Sequence, residues 1–325
     1  MKVAVIGGTR HVGHAVVAAL LEQNHEVDVY NRGKTPAVLP DGVGRVTVDR
    51  KAPGQLEQAL RERRPDAVID MIAFDVPDVE QVYSALPDLR HYVFCSSTVL
   101  YGRIGSATPS ETDPVAPDSE YGHGKTRCDQ WLVEKARDSG FAMTSLRLAH
   151  PYGPRDDLLY ATGRESLFLD RMRHDRPIII SGDGESRIHP VYVEDAGRAF
   201  AHALGRDDCM GRIFNLSGPQ ILTLNEYFES IARMVGRPLV ARHVPVDFFE
   251  EHAPLWADWK RKFDFGAIWV KYESAFDISA LEATGFRCLT DHDRGVGETL
   301  KWLDEHELID ASSDDDGEDR ILVSL

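Results

Sequence analysis

The chain has 325 residues, is 42% hydrophobic and 28% charged, and carries a formal net charge of −16 at pH 7. This composition predicts a globular protein with a sizeable core, in one large or two smaller domains. The acidic balance disfavours nucleic acid as a partner, because phosphate binding requires a basic surface. No apolar run approaches the roughly 20 residues that span a membrane, and no basic leader precedes the first strand. We therefore expect a cytoplasmic protein without a membrane partner.

The four cysteines stand far apart and form no CxxC pair. This usage indicates free, buried thiols in a reducing compartment rather than disulfides or zinc ligands. The His and Asp residues show no metal-ligand spacing either, so no metal site is predicted.

A strand, a tight turn and a helix open the chain. Lys2 to Ile6 is typical of a buried strand, and from His11 onward the apolar residues recur at helical spacing. Such a turn directs backbone N–H groups and the positive end of the helix dipole at a bound phosphate. We expect cofactor contacts along the whole turn, at Gly7, Gly8, Thr9, Arg10, His11, Val12 and Gly13.

An arginine, Arg10, takes the middle glycine position of this G-x-x-G-x-x-G pattern. At the end of the second predicted strand an NAD site usually carries Asp or Glu, which bonds the ribose 2′-hydroxyl. Here that place is Asn31, followed by Arg32 and then Lys34. Converging cations without an acid predict binding of the 2′-phosphate of NADP, with NAD as second choice. The alternative is a surface-exposed Arg10 without a ligand.

Strands and helices alternate through the first half of the chain. Strands are predicted at Glu26 to Tyr30, near Val46 to Val48, and in DAVIDMIA, HYVFCSST and AMTSLRLA. Helices are predicted in QLEQALRERRP, in DVEQVYSALPD and from about Tyr121 to Asp138. Near-continuous apolar strands alternating with helices predict an α/β protein with a doubly wound parallel sheet of the Rossmann type. The ligand site of this fold lies at the carboxyl ends of the strands.

The pattern loosens from about Gly153, which predicts a smaller C-terminal substrate-binding lobe. The predicted division gives 1–155 to the dinucleotide-binding domain, with 188–218 returning to it as helix and strand. Segments 156–187 and 219–309 form the lobe. The remaining stretch, 310–325, holds six acidic residues and one arginine. It is predicted to be a solvated acidic tail, although its closing ILVSL leaves docking on a partner subunit open.

A Tyr-x-x-x-Lys pair and a run of hydroxyls follow predicted strand ends. FCSSTVLYG ends a buried strand, and SEYGHGK places Tyr121 and Lys125 on one face at a helix start. An ammonium beside the phenol favours its ionised form, so Tyr121 could exchange a proton with a carbonyl or hydroxyl that a serine holds. Tyr30 and Lys34 have the same spacing but fall at a strand end, where we interpret the match as coincidence.

Six motifs together resemble the extended short-chain dehydrogenase/reductases of the NAD-dependent epimerase/dehydratase family, over nearly the whole chain. They are GGTRHVG, VFCSSTVLYG, YGHGK, LRLAHPYGPR, SGDGESRIHPVYVEDAG and FDISALEATGF with GVGETLKWL. The resemblance implies an NAD(P)-dependent epimerase or reductase acting at a secondary alcohol or carbonyl. It implies Ser97, Tyr121 and Lys125 as catalytic residues, a small polar substrate with a sugar or sugar nucleotide as the leading class, and a homodimer as a common assembly.

The resemblance also implies further contacts. The cofactor set extends to Asp49, Met71, Ile72, Ala73, Tyr121, Lys125 and His150, and the substrate set comprises Ser97, Thr98, His150 and Arg187.

Three departures from the family pattern bear on the substrate. Thr98 and Val99 stand where the 4,6-dehydratases carry an acidic pair, so dehydratase activity is disfavoured. His150 replaces an asparagine, and Arg187 lies one place before the family's usual phosphate-binding arginine. Both changes count against nucleotide-sugar recognition.

A second class of function stays open, that of an NADP-binding RNA-associated or sensor protein of the same fold. The GGTR turn also resembles chloroplast stem-loop RNA-binding relatives. The intact Ser97, Tyr121 and Lys125 and the acidic charge favour the enzyme.

Overall fold

The computed structural model describes residues 1–34, 36–102, 108–155, 158–159, 164–252, 273–312 and 317–325. The chain packs into two units. The first comprises Met1–Ala149, Val193–Ser217 and Asp277–Cys288. The second comprises His150–Tyr192, Gly218–Phe276 and Leu289–Leu325.

The strands in chain order are β1 (Lys2–Ile6), β2 (Glu26–Asn31), β3 (Gly44–Thr47), β4 (Ala67–Asp70), β5 (His91–Ser97), β6 (Met143–Leu148), β7 (Pro151–Tyr152), β8 (Leu158–Leu159), β9 (Arg164–Glu165), β10 (Ile178–Ser181), β11 (Arg187–Ile188), β12 (Val191–Tyr192), β13 (Arg212–Leu216), β14 (Leu222–Thr223) and β15 (Ala241–Val244).

The α-helices are α1 (His11–Glu22), α2 (Gln55–Arg63), α3 (Val76–Ala85), α4 (Glu120–Ser139), α5 (Leu167–Arg173), α6 (Val193–Ala203), α7 (Leu224–Val235), α8 (Val246–Glu251), α9 (Ser279–Glu282), α10 (His292–Glu305) and α11 (Gly317–Ser324), and a 3₁₀ turn covers Thr98–Tyr101. Within the described ranges, no helix is both long and apolar enough to cross a membrane.

A parallel sheet forms the centre of the first unit. Its strand order is β13-β6-β5-β4-β1-β2-β3, and every neighbouring pair is parallel. The chain builds β1 to β3 toward one edge and then crosses back to add β4, β5, β6 and β13 on the other side. The order therefore reverses between β1 and β4, where a crevice opens at the carboxyl ends of the strands. The predicted α/β doubly wound fold is confirmed.

Helices supply the apolar side chains that bury the strands of this sheet. On one face, Leu56 of α2, Val82 of α3 and Leu132 of α4 share a core cluster with Ile6 and Val68 of the strands. Every residue of β4 and β6 is buried, as expected for strands that are covered on both faces, although β6 includes the polar residues Thr144, Ser145 and Arg147.

Helix α6 packs closely on α1 within the first unit. A Cβ atom at Gly197 would lie 2.5 Å from the backbone carbonyl carbon of Ala15, so only glycine allows this approach. The helix and strand that the sequence assigned to 188–218 correspond to α6 and β13, and β13 adds to the sheet beside β6.

The segment Asp277–Cys288 packs with the first unit, whereas the sequence placed it in the substrate lobe. The Asn215 side chain donates to the Asp277 carbonyl at 3.0 Å, and Arg206 donates to the Thr284 carbonyl at 3.0 Å. His202 also bonds the Thr284 hydroxyl at 2.9 Å. These contacts join residues more than 60 positions apart, which local sequence patterns do not reveal.

The second unit contains short paired strands and two packed helices. Strand β10 pairs in parallel with β15, and β11 pairs antiparallel with β14. A capping box, in which Thr223 and Glu226 bond each other's backbone N–H groups, starts α7. Helix α7 contacts α10 through the rings of Tyr227 and His292, whose centroids are 4.8 Å apart.

The acidic stretch that was predicted to be solvated instead ends in a docked helix. The Glu318 carboxylate in α11 is fully buried and forms an ion pair with Arg171, with 2.7 Å between Oε2 and Arg171 Nε, and Arg171 is fully buried as well. The other Glu318 oxygen accepts from the backbone N–H of Ile179 at 3.3 Å. Ile321 of α11 enters a core cluster with Leu167 of α5 and neighbouring residues. The acidic composition of this stretch suggested exposure to solvent. It did not reveal the helix, because the arginine that pairs with Glu318 lies far away in the sequence.

We expect Glu318→Ala to lower the melting temperature by at least about 6 °C. Arg171 keeps an ion pair with the partly exposed Asp319 but loses its buried carboxylate partner. Breaking a buried ion pair costs about 3 kcal/mol or more, and each kcal/mol shifts the melting temperature of a chain of this size by about 2 to 4 °C. Circular dichroism melting measures the change. The double variant Arg171→Met, Glu318→Leu should recover most of it, and Val323→Ala, at an 87% exposed position, is the control. Wild-type melting of Glu318→Ala would contradict the burial of this pair.

Candidate functional site

The turn between β1 and α1 is built around glycines. Gly7 has a φ of 93°, in the region that favours glycine. A Cβ atom at Gly13 would lie 2.3 Å from the carbonyl oxygen of Gly7, so α1 can begin this close to the turn only with glycine. Arg10 is the N-cap residue of α1 and is exposed. The N-terminus of α1 therefore points its N–H groups into a turn suited to an anion.

A cavity of about 560 Å³ opens at the carboxyl ends of β1, β2, β4 and β5 and along the loop after β3. Its volume lies in the range of ligand clefts. The predicted cofactor residues that line it are Gly7, Thr9, Arg10, His11, Val12, Gly13, Asn31, Arg32, Lys34, Asp49, Met71 and Ile72.

The other predicted cofactor residues do not line this cavity. Gly8 faces the core, where a Cβ atom would lie 2.9 Å from Val5 and Val17. Ala73 is fully buried and presents its carbonyl oxygen to Lys125. Tyr121 and Lys125 stand on α4, and His150 belongs to the second unit.

Several lining residues were missed by the sequence analysis. They are Ile6, Tyr30, Gly33, Val48, Arg50, Lys51, Leu56, Phe74, Cys95 and Leu148. Most of them stand at a strand end or directly after one. Locating each strand end in the sequence would thus have identified them as candidate lining residues.

Three cations stand at the cavity without acidic partners. Arg10, Arg32 and Lys34 are exposed, and in the part of the chain that the structure describes none of them pairs with a carboxylate. Asn31 uses its side-chain oxygen to accept from the backbone N–H of Gly33 at 2.7 Å, which shapes the turn that carries the cations. The cavity wall at the end of β2 is therefore positively charged.

A buried ion pair lies at the end of β4. The guanidinium of Arg50 donates to both carboxylate oxygens of Asp70, at 2.9 and 3.1 Å, and to the carbonyl oxygen of Asp78 at 2.7 Å. Tyr92 donates its hydroxyl to Asp70 at 3.2 Å. Burial raises the pKa of Tyr92 well above its usual value, so the phenol keeps the proton that it donates. Both oxygens of Asp70 and both terminal nitrogens of Arg50 are thus hydrogen-bonded, while Arg50 Nε lies 3.5 Å from Asp78 Oδ1.

The segment 71–74, which follows β4, is held through its backbone. The N–H of Ile72 donates to Asp70 at 3.1 Å, and the N–H of Phe74 donates to Asp78 at 2.9 Å. Between them, the Ala73 carbonyl accepts from Lys125 Nζ at 2.7 Å. Consecutive residues of this cavity wall therefore have their positions fixed by charged side chains.

Helix α4 begins so that Tyr121 lies in its first turn. Ser119 is the N-cap residue, and its hydroxyl accepts from the N–H of Gly122 at 3.1 Å. A Cβ atom at Gly124 would lie 2.1 Å from the carbonyl oxygen of Phe74, so this glycine lets α4 approach the cavity wall. The second glycine of YGHGK thus has a packing reason.

The structure brings Tyr121 and Lys125 together on one face of α4. Lys125 is 1% exposed, and its ammonium donates to the carbonyl oxygens of Ala73 and Cys95 at 2.7 and 2.6 Å. The same nitrogen lies 5.5 Å from the ring centroid of Tyr121, which is 45% exposed. Burial lowers the pKa of the Lys125 ammonium. A buried cation therefore lies against the ring of a partly exposed tyrosine.

Ser97 ends β5 and caps the 3₁₀ turn that follows. Its Oγ accepts from the N–H of Val99 at 3.3 Å, and its neighbour Thr98 is buried with its hydroxyl 3.5 Å from the Leu148 carbonyl. Among the described residues, the Ser97 hydroxyl has no acceptor for its own proton. It can therefore donate to a ligand oxygen.

His150 and Arg187 are polar residues of the second unit, and each has a partner from one short segment. His150 Nε2 lies 2.5 Å from the Ser274 hydroxyl, and burial lowers the pKa of this imidazole to about 4, so it is neutral at neutral pH. Arg187 forms an ion pair with Glu273. No sequence motif pointed to Glu273 or Ser274, because their partners lie about 90 or more positions away.

The profile of the NAD dependent epimerase/dehydratase family matches residues 3–217. The chain therefore belongs to this family of enzymes, which confirms the resemblance drawn from its motifs. Among curated proteins it is 29% identical to the 2′-dehydrokanamycin reductase of Streptomyces kanamyceticus, over 82% of this chain and 78% of that protein.

Other relatives carry different names. The chain is 28% identical to the chloroplast stem-loop binding protein of 41 kDa b of Arabidopsis thaliana, over 76% of this chain and 67% of that protein. The solved UDP-glucose 4-epimerase of Thermotoga maritima superposes with a TM-score of 0.77 at 22% identity, and the match covers 94% of this chain and 100% of that one. At this identity the superposition shows the shared fold.

We expect Gly13→Ala to weaken binding of a nicotinamide dinucleotide about tenfold or more. The added methyl group would lie 2.3 Å from the Gly7 carbonyl oxygen and must displace the turn, and such overpacking costs about 1 to 3 kcal/mol. Isothermal titration calorimetry measures the affinity. Gly140→Ala is the matched control, since a Cβ atom there meets nothing within 4 Å. Unchanged affinity in Gly13→Ala would show that the ligand does not use this turn.

Proposed function

We propose that the protein is an NADP(H)-dependent oxidoreductase that transfers hydride and a proton at a secondary alcohol or carbonyl carbon of a sugar-like substrate. The observation that carries this proposal is the buried Lys125 ammonium beneath the half-exposed phenol of Tyr121, beside the cavity at the strand ends. The two side chains, with Ser97, constitute a proton-transfer site of the kind that the family membership implies. We propose a cytoplasmic location on the composition alone.

The residues at the cavity fit a phosphorylated dinucleotide. The glycine turn and the N-terminus of α1 suit a pyrophosphate. Arg10, Arg32 and Lys34 would hold the 2′-phosphate of NADP, since no acidic residue stands at the end of β2 to accept a 2′-hydroxyl. A related structure from Thermus thermophilus is a complex with NAD, so the cations are what favour NADP here.

The proposed proton chemistry gives one role to each of Tyr121, Lys125 and Ser97. When bound, a nicotinamide supplies or accepts the hydride. Tyr121 gives its phenolic proton to the substrate oxygen in reduction and takes it back in oxidation, and the Lys125 ammonium beneath it favours the ionised phenol. Ser97 donates a hydrogen bond to the same oxygen. Two N–H groups of Lys125 bond backbone carbonyls, and the third would bond the nicotinamide ribose.

The proposed substrate is a hydroxyl-rich molecule, a sugar or a sugar nucleotide. Relatives named as a 2′-dehydrokanamycin reductase and as a putative UDP-glucose 4-epimerase support this class. Arg187 is engaged by Glu273, which favours a sugar without a diphosphate. Thermal-shift screening of UDP-, GDP- and dTDP-sugars against uncharged sugar ketones tests the choice, because a specific ligand raises the apparent stability.

An RNA-associated role has less support, although one relative is named as a stem-loop binding protein. The net charge of −16 opposes attraction to a polyanion. A gel shift with stem-loop RNA beside a cofactor titration separates the two functions, and RNA binding without cofactor binding would favour the second.

We expect Tyr121→Phe to reduce turnover by a factor of about 10² to 10⁴, the usual contribution of a positioned acid or base. Cofactor affinity should stay nearly unchanged, because the phenyl ring still covers Lys125. Absorbance of the reduced cofactor measures turnover, and calorimetry measures affinity. The control is Tyr83→Phe, which removes a hydroxyl from α3 outside the cavity. Near-full activity of Tyr121→Phe would remove this residue from the mechanism.

We expect Arg10→Ala and Arg32→Ala each to weaken NADP⁺ binding about tenfold or more while changing NAD⁺ binding little. A charge-assisted hydrogen bond contributes about 1.5 to 3 kcal/mol, and only NADP⁺ carries the phosphate that would receive it. Titration calorimetry with both cofactors measures the effect. Arg45→Ala in β3 is the control, because Arg45 does not line the cavity. Wild-type protein that binds NAD⁺ as tightly as NADP⁺ would refute the assignment.

A further inference from the structure

The Lys125 ammonium is buried without an anionic partner. In the ranges that the structure describes it forms no ion pair, and its hydrogen bonds go to two backbone carbonyls. Three aromatic rings surround it instead. Its nitrogen lies 4.7 Å from the ring centroid of Phe94, 5.2 Å from that of Phe74 and 5.5 Å from that of Tyr121. All three distances fall within the range of cation–π contacts.

Burial disfavours the charged form of this ammonium, and the three aromatic rings offset part of that cost. Burial favours the neutral amine and lowers the pKa of Lys125. Carbonyl oxygens supply partial charges only, and the negative faces of aromatic rings add attraction where water is excluded. The rings thus help to keep the charge that Tyr121 requires.

Phe74 differs from the other two rings in its exposure. Phe94 is fully buried in the core, and Tyr121 is the proposed proton carrier. Phe74 is 48% exposed, although it is a large apolar side chain. Its ring centroid lies 6.0 Å from that of Tyr121. Core packing does not require an aromatic ring at this position, whereas the Lys125 ammonium and the Tyr121 ring both contact it.

The backbone fixes Phe74 in this place. Its N–H donates to Asp78 at 2.9 Å, and its carbonyl oxygen contacts α4 at Gly124. Lys125 holds the preceding carbonyl, that of Ala73. Lys125 thus helps to fix the segment that carries Phe74, and the Phe74 ring in turn covers the Lys125 ammonium.

We propose that Phe74 is a positioning residue, whose ring face stabilises the Lys125 ammonium and borders the Tyr121 ring. The proposal rests on the proposed function of these two residues. On this proposal the Phe74 ring contributes to keeping Lys125 charged, and through Lys125 it favours the ionised phenol of Tyr121.

The charged and titratable groups around Lys125 act with this ring rather than in its place. The carboxylates of Asp70, at the end of β4, and Asp129, on α4, both favour the charged amine. The thiols of Cys95 on β5 and Cys128 on α4 are neutral near pH 7, because burial raises their pKa values to about 11 and about 12. None of these groups is altered by a substitution at Phe74.

The test is a direct titration of Lys125 in the full chain without cofactor. The protein is labelled with [ε-¹³C]lysine, and the carbon shifts of its nine lysines are followed against pH. Lys125→Met identifies the Lys125 signal by its loss. We expect Phe74→Leu to lower the pKa of Lys125 by about 0.4 to 1.5 units, the shift that corresponds to one cation–π contact. The other eight lysines serve as internal controls.

Phe74→Trp is the matched variant, because it keeps a π face on the ammonium. It should titrate like wild type, or at a higher pKa, since indole is the strongest ring for this contact. An unchanged titration in Phe74→Leu would overturn the proposal. Equal shifts in the Leu and Trp variants would overturn it as well, because the ring face would then make no difference.

This outcome is independent of the reaction. The titration needs no turnover, so a failed Phe74 proposal leaves the Tyr121 assignment untouched. If Tyr121→Phe kept full activity, the proposed function would fail while the contact between Phe74 and Lys125 could still be measured.

Discussion

The charges of Arg50 and Asp70 are both removed from water, and each is compensated by the other at the end of β4. Such a pair adds little net stability, because desolvation consumes much of its attraction. It does fix geometry. Asp70 bonds the N–H of Ile72, and Arg50 bonds the carbonyl of Asp78, whose carboxylate bonds Phe74. The wall of the cavity is thus held by buried charged groups, and moving any one of them would leave its partner buried without compensation.

This constraint extends to the residues that we propose for proton transfer. The segment 71–74 that the ion pair holds also presents the Ala73 carbonyl, which is one of two acceptors for the Lys125 ammonium. The cavity wall and the site of the Lys125 ammonium therefore share one stretch of backbone. A displacement at Arg50 would move the acceptor of Lys125, and with it the cation beneath Tyr121.

The sequence predicted the features that depend on local periodicity. Apolar runs marked the parallel strands, and glycine spacing marked the turn, where Gly7 and Gly13 have the steric reasons that the pattern implied. It missed Arg50 and Phe74, because residue type alone suggests an exposed arginine and a buried phenylalanine. In the structure the arginine is buried and the phenylalanine is half-exposed. It also misjudged the last helix. The carboxylate of Glu318 is compensated by an arginine 147 positions earlier, which composition does not reveal.

Because Arg171 pairs with Glu318 near the end of the sequence, the site around Arg171 is completed late in synthesis of the chain. A ribosome that has exposed residues up to 312 has already released Arg171 and the strand β10, yet the carboxylate that both require is still to be added. The first unit needs nothing beyond Cys288 and can be complete by then. Until α11 is added, the nascent chain lacks the Glu318 and Asp319 carboxylates that pair with Arg171, and the apolar cluster around Leu167 lacks Ile321.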